Sequence, residues 1–272
     1  MISETPLPLR NVTSSAQKGN KPLRLITLNA PKPNLPLFIF LPGMDGTGEL
    51  LRPQLDSLEA TFDIRCLSIP LDDLRGWQGL VNQTAYLINR EKQQAPSRPI
   101  VLCGESFGGC LALQLAAGFP HLFERLVLIN PASSASNQPW MSWGAAITQW
   151  LPNPLYRLSS LGLLPFLCVL PRISPENQQA LLREMQSVTS LSAAWRISLL
   201  SQFDVTQLPL EQIQQPVLML ASGSDYLLPS VKEAKRLCRS LPNSYLLILP
   251  DSGHACLLEK EVNLGNILRS QN

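Results

Sequence analysis

The sequence predicts an α/β fold: a mostly parallel, twisted sheet with helices on both faces and one inserted helical cap. Three observations predict it. Short runs of Ile, Leu, Val and Phe recur along the chain; segments of helical periodicity separate them; and one long interval, residues 133–213, has helical but no strand patterning. Strands buried on both faces read as continuous apolar runs, and helices join them when they lie parallel. At 272 residues the chain can bury one sizeable core, and 45% hydrophobic against 15% charged residues excludes a disordered polymer.

Taken in order, residues 1–22 form a polar N-terminal lead-in without the apolar stretch of a secretory signal. LRLITL (23–28) and LFIFLP (37–42) flank the turn-forming string NAPKPN, which predicts an antiparallel hairpin opening the sheet. GELLRPQLDSLEATF (48–62) carries Leu51, Leu55 and Leu58 at helical spacing. IRCLSIP (64–70) reads as a buried strand and LVNQTAYLINREKQQ (80–94) as a helix. PIVLCG (99–104) is a strand running directly into the Ala/Leu-rich helix FGGCLALQLAAGF (107–119). LVLINP (126–131), PVLMLASGSD (216–225) and SYLLILP (244–250) are further strands, with the helix LPSVKEAKRLCRS (228–240) between the last two.

The core therefore spans 23–132 and 214–272. Residues 133–213, too long for an ordinary connection, form a helical cap or lid. Within it Trp140, Trp143, Ile147 and Trp150 share one helical face. Ser174-Pro175-Glu176 starts a helix that runs to about Val188, and a third covers Ala193–Phe203. A lid rich in Trp and Leu lines an apolar pocket, rests on a membrane surface, or simply packs onto the core.

The chemistry concentrates in GESFGG (104–109), which satisfies G-x-S-x-G between a buried strand and an apolar helix, the context that a nucleophile elbow requires. Glycines at 104 and 108 let the sharp turn close, and Ser106 projects above the carboxyl edge of the sheet. A serine hydroxyl needs a base to remove its proton. Of the two histidines, His121 falls in the loop at the opposite, amino-terminal edge; His254 directly follows the last strand, on the edge of Ser106. The imidazole needs an acid to hold its tautomer. Asp225 ends the PVLMLASGSD segment and stands between Ser106 and His254 in the chain, the order used by α/β-hydrolases. Asp251 and Asp204 are the rivals, Asp251 reading as a turn former in PDSG. The oxyanion requires two backbone donors: the N–H of Phe107, after the nucleophile, and the N–H of Met44 in the glycine-rich loop LPGMDGTG (41–48). The predicted fold is thus specifically an α/β-hydrolase fold.

Other classes are excluded by what the chain contains. A net charge of +2 without a basic stripe predicts no nucleic-acid partner. Six scattered cysteines without a CxxC pair predict buried reduced thiols and an intracellular compartment, not disulfides or zinc. No phosphate-binding loop and no metal-ligand spacing occur, so no cofactor and no metal are expected. LSSLGLLPFLCVLP (158–171) is shorter than the ~20 residues of a membrane span and is interrupted by Pro165, so no transmembrane segment is expected. The expected location is cytoplasmic, with peripheral membrane contact through the cap as a variant.

LPGMDGTG, GESFGGCLALQLA, SGSDYLLPS and DSGHACLLE together resemble the hydrolase portion of phytyl ester synthases, esterase/lipase/thioesterase-type α/β-hydrolases of plants and cyanobacteria. The resemblance spans roughly residues 37–262. It implies a nucleophile at Ser106, an acid at Asp225, a base at His254, and a lipid-like ester or thioester substrate. The plant enzymes carry a further acyltransferase-type domain with a His-x4-Asp signature; here Glu259 stands at that offset from His254. The expected reaction is therefore acyl-ester or thioester hydrolysis, or acyl transfer to an alcohol by the serine site alone. A lyase using the same groups without acylation, and a catalytically silent binding protein, are the remaining alternatives.

Overall fold

A computed structural model describes residues 21–138, 148 and 153–271. A seven-stranded sheet has the order β1-β3-β2-β4-β5-β6-β7, and every pairing is parallel except that of β1 with β3. The strands are β1 (Arg24–Ile26), β2 (Leu37–Leu41), β3 (Asp63–Ser68), β4 (Ile100–Glu105), β5 (Arg125–Ile129), β6 (Val217–Ser222) and β7 (Ser244–Leu249).

The apolar runs explain the layering. Along β2, Leu37, Ile39 and Leu41 pack on one face while Phe38 and Phe40 pack on the other, and β4 splits Ile100 and Leu102 from Val101 and Cys103 in the same way. Strand side chains alternate faces, so a wholly apolar strand needs a cover on both sides. Against the first face lie α2 (Trp77–Gln94), α3 (Phe107–Gly118) and α7 (Ser230–Ser240). Against the second lie a 3-10 turn (Glu49–Gln54), the single-turn α1 (Leu55–Leu58) and α8 (Leu264–Arg269).

Two expectations are corrected here. LRLITL and LFIFLP do not form a hairpin: β1 pairs with β3, through Arg24↔Ser68 and Ile26↔Cys66, and β3 lies between β1 and β2. The segment 27–36 is long enough to step across one strand, about 10 Å for two strand spacings. The step leaves β2, fully buried, with parallel partners on both edges and puts the half-exposed β1 at the sheet's edge. Residues 48–62 form a 3-10 turn and one α-turn instead of a continuous helix. Pro53, inside it, supplies no N–H for the α-helical ladder. The buried face is nonetheless Leu51, Leu55 and Leu58.

Between β5 and β6 the described residues hold α4 (Asn153–Leu167), α5 (Pro175–Ser187) and α6 (Ser190–Ser201), with short 3-10 turns and no strand among them. Ser174 caps α5, its side chain accepting the Asn177 N–H at 3.2 Å. Thr189 caps α6 by accepting the Ser192 N–H at 3.1 Å, which starts that helix ahead of Ala193. The Trp140, Trp143, Ile147 and Trp150 face lies outside the described residues, as do residues 1–20 of the lead-in. All six cysteines are free thiols. No helix of the described residues is long and apolar enough to cross a membrane.

Gln54 joins the second face together. Its side-chain amide donates to the carbonyls of Leu257 (2.7 Å) and Val262 (2.9 Å) and accepts the Leu264 N–H (2.8 Å). Gln54→Met keeps the volume but leaves three buried backbone groups unpaired, each worth about 1–3 kcal/mol. The expected result is a destabilisation of roughly 3 kcal/mol or more, read as a lower urea midpoint at unchanged slope.

Candidate active site

The chain leaves β2 sideways to β3 and then returns across β2 to β4, so the connections diverge between β2 and β4. Open α/β sheets bind ligands at the carboxyl ends of the strands beside such a switch point. Two segments emerge there: the loop after β2, residues 42–48, and the turn after β4 that carries Ser106.

Ser106 has φ 52° and ψ −113°, a backbone conformation that non-glycine residues avoid. The hydrogen bonds around it hold it there. Its N–H donates to Ile129 O (3.0 Å), and its carbonyl accepts the N–H groups of Gly109 and Ala132 at 3.0 Å each. The flanking glycines permit close approach. A Cβ on Gly104 would stand 2.4 Å from Gly108 O, and one on Gly108 would stand 2.0 Å from Leu41 O. No side chain fits either position, so α3 begins directly against the end of β2.

His254 lies in the turn after β7 and is buried. Its Nε2 is 2.8 Å from Ser106 Oγ, and its Nδ1 is 2.7 Å from Asp225 Oδ2. Asp225 does not end β6, as the sequence suggests. The strand stops at Ser222 and a turn intervenes, because Gly223 is wedged against Pro250: a Cβ there would stand 2.3 Å from Pro250 O. The turn interlocks with the one after β7 through Gly223 N–H to Leu249 O (2.8 Å) and Ser224 N–H to Ser252 O (2.9 Å). Asp225 Oδ1 accepts the N–H groups of Leu227 (2.9 Å) and Leu228 (3.0 Å), and Oδ2 also accepts the Ser230 hydroxyl. The carboxylate is thereby oriented through both oxygens. The rivals lie elsewhere: Asp204 caps the 3-10 turn Val205–Gln207, Asp251 is exposed, and His121 is exposed on a 3-10 turn just before β5.

Burial acts on both partners of the pair, and their mutual attraction overrides it. Burial pushes His254 down, but the charge and hydrogen bond of Asp225, with Glu105 behind, hold its pKa above the ordinary value. Burial pushes Asp225 up, yet the charge of His254 and the hydrogen bonds from His254, Ser230 and Leu228 leave it lowered. Glu105, next to Ser106, is pushed up to about 8 by burial and by Asp45, with His254 opposing.

The loop after β2 turns at Gly43–Gly46, with Gly46 N–H donating to Gly43 O (3.2 Å). It runs beside the nucleophile: a Cβ on Gly43 would lie 3.8 Å from Ser106 Cβ. Phe107 N–H is the first of α3, where backbone donors have no intrahelical partner. Among the described residues neither the Phe107 nor the Met44 N–H donates a hydrogen bond. No cluster of three or more His, Cys, Asp or Glu among them could hold a metal ion.

Two contributors carry no signal in the sequence. Asn130, buried at φ 43°, donates from its amide to His254 O and Ser222 Oγ, each at 2.8 Å, and accepts the Ser222 N–H at 2.8 Å. It ties the end of β5 to β6 and to the histidine turn. Glu259, also buried, accepts the Gly253 N–H (2.8 Å) and pairs with Arg172 (2.7 Å), fastening that turn from its other side.

Comparison with known proteins agrees with this architecture. A family model described as alpha/beta hydrolase fold matches residues 36–261. Phytyl ester synthase 1, chloroplastic, of Arabidopsis thaliana is 32% identical in an alignment 254 residues long that covers 85% of this chain. The chain spans only 36% of that relative's length. A pimeloyl-[acyl-carrier protein] methyl ester esterase of Aromatoleum aromaticum is 29% identical over 171 residues, 58% of this chain and 68% of the esterase. Among solved structures, MenH from S. aureus superimposes with a TM-score of 0.71 at 17% identity, covering 92% of this chain and 99% of MenH, a likeness of fold. With the matched model extending from β2 through β7, the chain belongs to the α/β hydrolase fold family.

Proposed function

We propose that this protein is a serine acyl hydrolase, cleaving carboxylic esters or thioesters through an acyl-enzyme on Ser106. The observation that carries the reading is the continuous chain Ser106 Oγ–His254 Nε2 (2.8 Å) and His254 Nδ1–Asp225 Oδ2 (2.7 Å) beside two uncommitted backbone donors.

Ser106 Oγ attacks the substrate carbonyl carbon while His254 Nε2 takes the hydroxyl proton. Asp225 keeps the other imidazole proton on Nδ1 and offsets the charge of the imidazolium. The tetrahedral oxyanion is received by the N–H groups of Phe107 and Met44, with the N-terminal dipole of α3 adding favourable potential. His254 then gives its proton to the leaving alcohol or thiol, leaving the acyl group on Ser106. A water molecule, deprotonated by His254, attacks the acyl carbon, and collapse returns the proton to Ser106 as the acid departs.

Residues 133–213 act as the cap over this site, and the substrate carries a long apolar chain. Support comes from the resemblance to phytyl ester synthases and from α4, where Leu155, Leu161, Leu163 and Phe166 remain exposed. The same resemblance favours a second reading, delivery of the acyl group to a long-chain alcohol in place of water. Product analysis with and without phytol separates the two, since ester formation requires the alcohol.

A fluorophosphonate probe followed by intact-mass measurement is expected to give one adduct, on Ser106, and none in Ser106→Ala. Full labelling of that variant overturns the assignment. Across p-nitrophenyl esters, turnover efficiency is expected to rise from acetate to long acyl chains; strict preference for acetate ends the lipid reading.

The pH profile follows from the shifts. His254 serves as base only when neutral, and its pKa is raised, so activity climbs with pH through a midpoint above about 6.5, the ordinary histidine value. Asp225→Asn removes the charge that raises it and frees the wrong tautomer. The expected outcome is a fall in kcat of about four orders of magnitude, with the midpoint displaced to lower pH and thermal unfolding still cooperative.

A further inference from the structure

The loop after β2 is held from the insertion as well as from the sheet. Arg196, on α6 and buried, donates through Nη1 to the Met44 carbonyl and through Nη2 to Pro70 O at 3.0 Å. It fills the space over Gly46, where a Cβ would stand 3.0 Å from Nη1. α6 is itself fixed to the core around Arg196: Trp195 donates to Arg75 O (2.9 Å), and Trp77 donates to Leu199 O (3.0 Å) while stacking on Phe107 at 4.7 Å. The guanidinium therefore grips, from a rigid base, Met44 in the loop that runs beside Ser106.

We propose that Arg196 is a positioning residue for the oxyanion site, acting through the Met44 carbonyl, and that Glu184 on α5 closes a second contact on the same loop at Thr47. The proposal rests on the serine-hydrolase reading, in which Met44 supplies a donor. Fixing the Met44 carbonyl holds the Met44–Asp45 peptide plane, which is one Cα away from the plane that carries the Met44 N–H, and oxyanion donors are effective only when held in place before charge develops.

The second contact runs through the Thr47 hydroxyl. Thr47 Oγ1 lies 2.8 Å from Asp45 Oδ2 and 2.7 Å from Glu184 Oε2, and it accepts the Glu49 N–H at 3.2 Å. Asp45 Oδ2 also accepts the Thr47 and Gly48 N–H groups (3.0 and 3.2 Å), so the hydroxyl joins the loop's own carboxylate to Glu184 on α5. Burial raises the Glu184 pKa, the Thr47 bond opposes, Asp45 and Glu49 raise it further, and Arg183 lowers it, leaving it raised overall. Arg52, within range of Glu184, is paired to Glu49.

Hydrogen–deuterium exchange across residues 43–48 tests the grip without turnover. Exchange is expected to accelerate in Arg196→Met and less in Arg196→Lys, which keeps one cationic donor; unchanged exchange overturns the proposal. Kinetics test the consequence. Per active site titrated with fluorophosphonate, Arg196→Met is expected to lower kcat about 10- to 100-fold with KM within about twofold. Inhibition by a trifluoromethyl ketone, whose adduct is an oxyanion, is expected to weaken in parallel, with Arg196→Lys intermediate. Faster exchange with unchanged ketone affinity makes Arg196 merely structural and also overturns the proposal. Failure of the wild type to form a Ser106 adduct defeats the serine-hydrolase reading instead, with exchange still deciding the grip. Where Arg196→Met fails to fold, Glu184→Ala serves, since it removes the contact at Thr47. Exchange across residues 43–48 is again expected to accelerate, and unchanged exchange overturns the Glu184 contact.

Discussion

The passage from β4 into α3 brings two backbones closer than side chains allow. Gly108 meets the end of β2 and Gly104 meets Gly108, so the helix begins with its axis aimed at the sheet edge and the residue between them is forced to φ 52°. Strain of this kind costs of order 1–3 kcal/mol and persists only where surrounding bonds impose it. Here Ile129 O, Gly109 N–H and Ala132 N–H impose it. The same approach draws the loop after β2 alongside Ser106, so the two meet through one close packing.

Around that fixed point the other groups are held by carboxylates and amides working in pairs. Asp225 is oriented by three donors, Leu227, Leu228 and Ser230, and in turn orients His254. Asn130 and Glu259 grip the histidine turn on its two sides, one from the core and one through Arg172 in the insertion. Arg196 and Glu184 reach the loop after β2 from α6 and α5. The helices between β5 and β6 thus contact both segments that flank Ser106, and they share one hydrogen-bonded structure with the carboxyl edge of the sheet.

Much of the sheet was legible because the apolar runs are long and unmixed. β4, β5 and β7 fall within a residue or two of the segments that periodicity marks, β6 stops three residues short of Asp225, and α5 starts at the Ser174-Pro175 cap. The failures have separate causes. Pro53 converts a helical pattern into a 3-10 turn without moving its buried face. The β1 error arose because local turn chemistry carries no information about which strand edge is free; only the pairing of β2 on both sides decides that.

The sequence by itself determined the fold class, the elbow around Ser106 and the short list of acids and bases, because these depend on local patterns: strand, tight turn, helix, and chain order. The tertiary structure alone decided the pairing of β1, the separation of Asp225 from Asp204 and Asp251, and the contributions of Asn130, Glu259, Arg196 and Glu184. Each of those depends on a hydrogen bond between residues far apart in the chain, such as Arg196 to Met44 or Asn130 to His254. An Arg on one helix and a carbonyl in a distant loop carry no shared periodicity, and only the folded backbone brings them together.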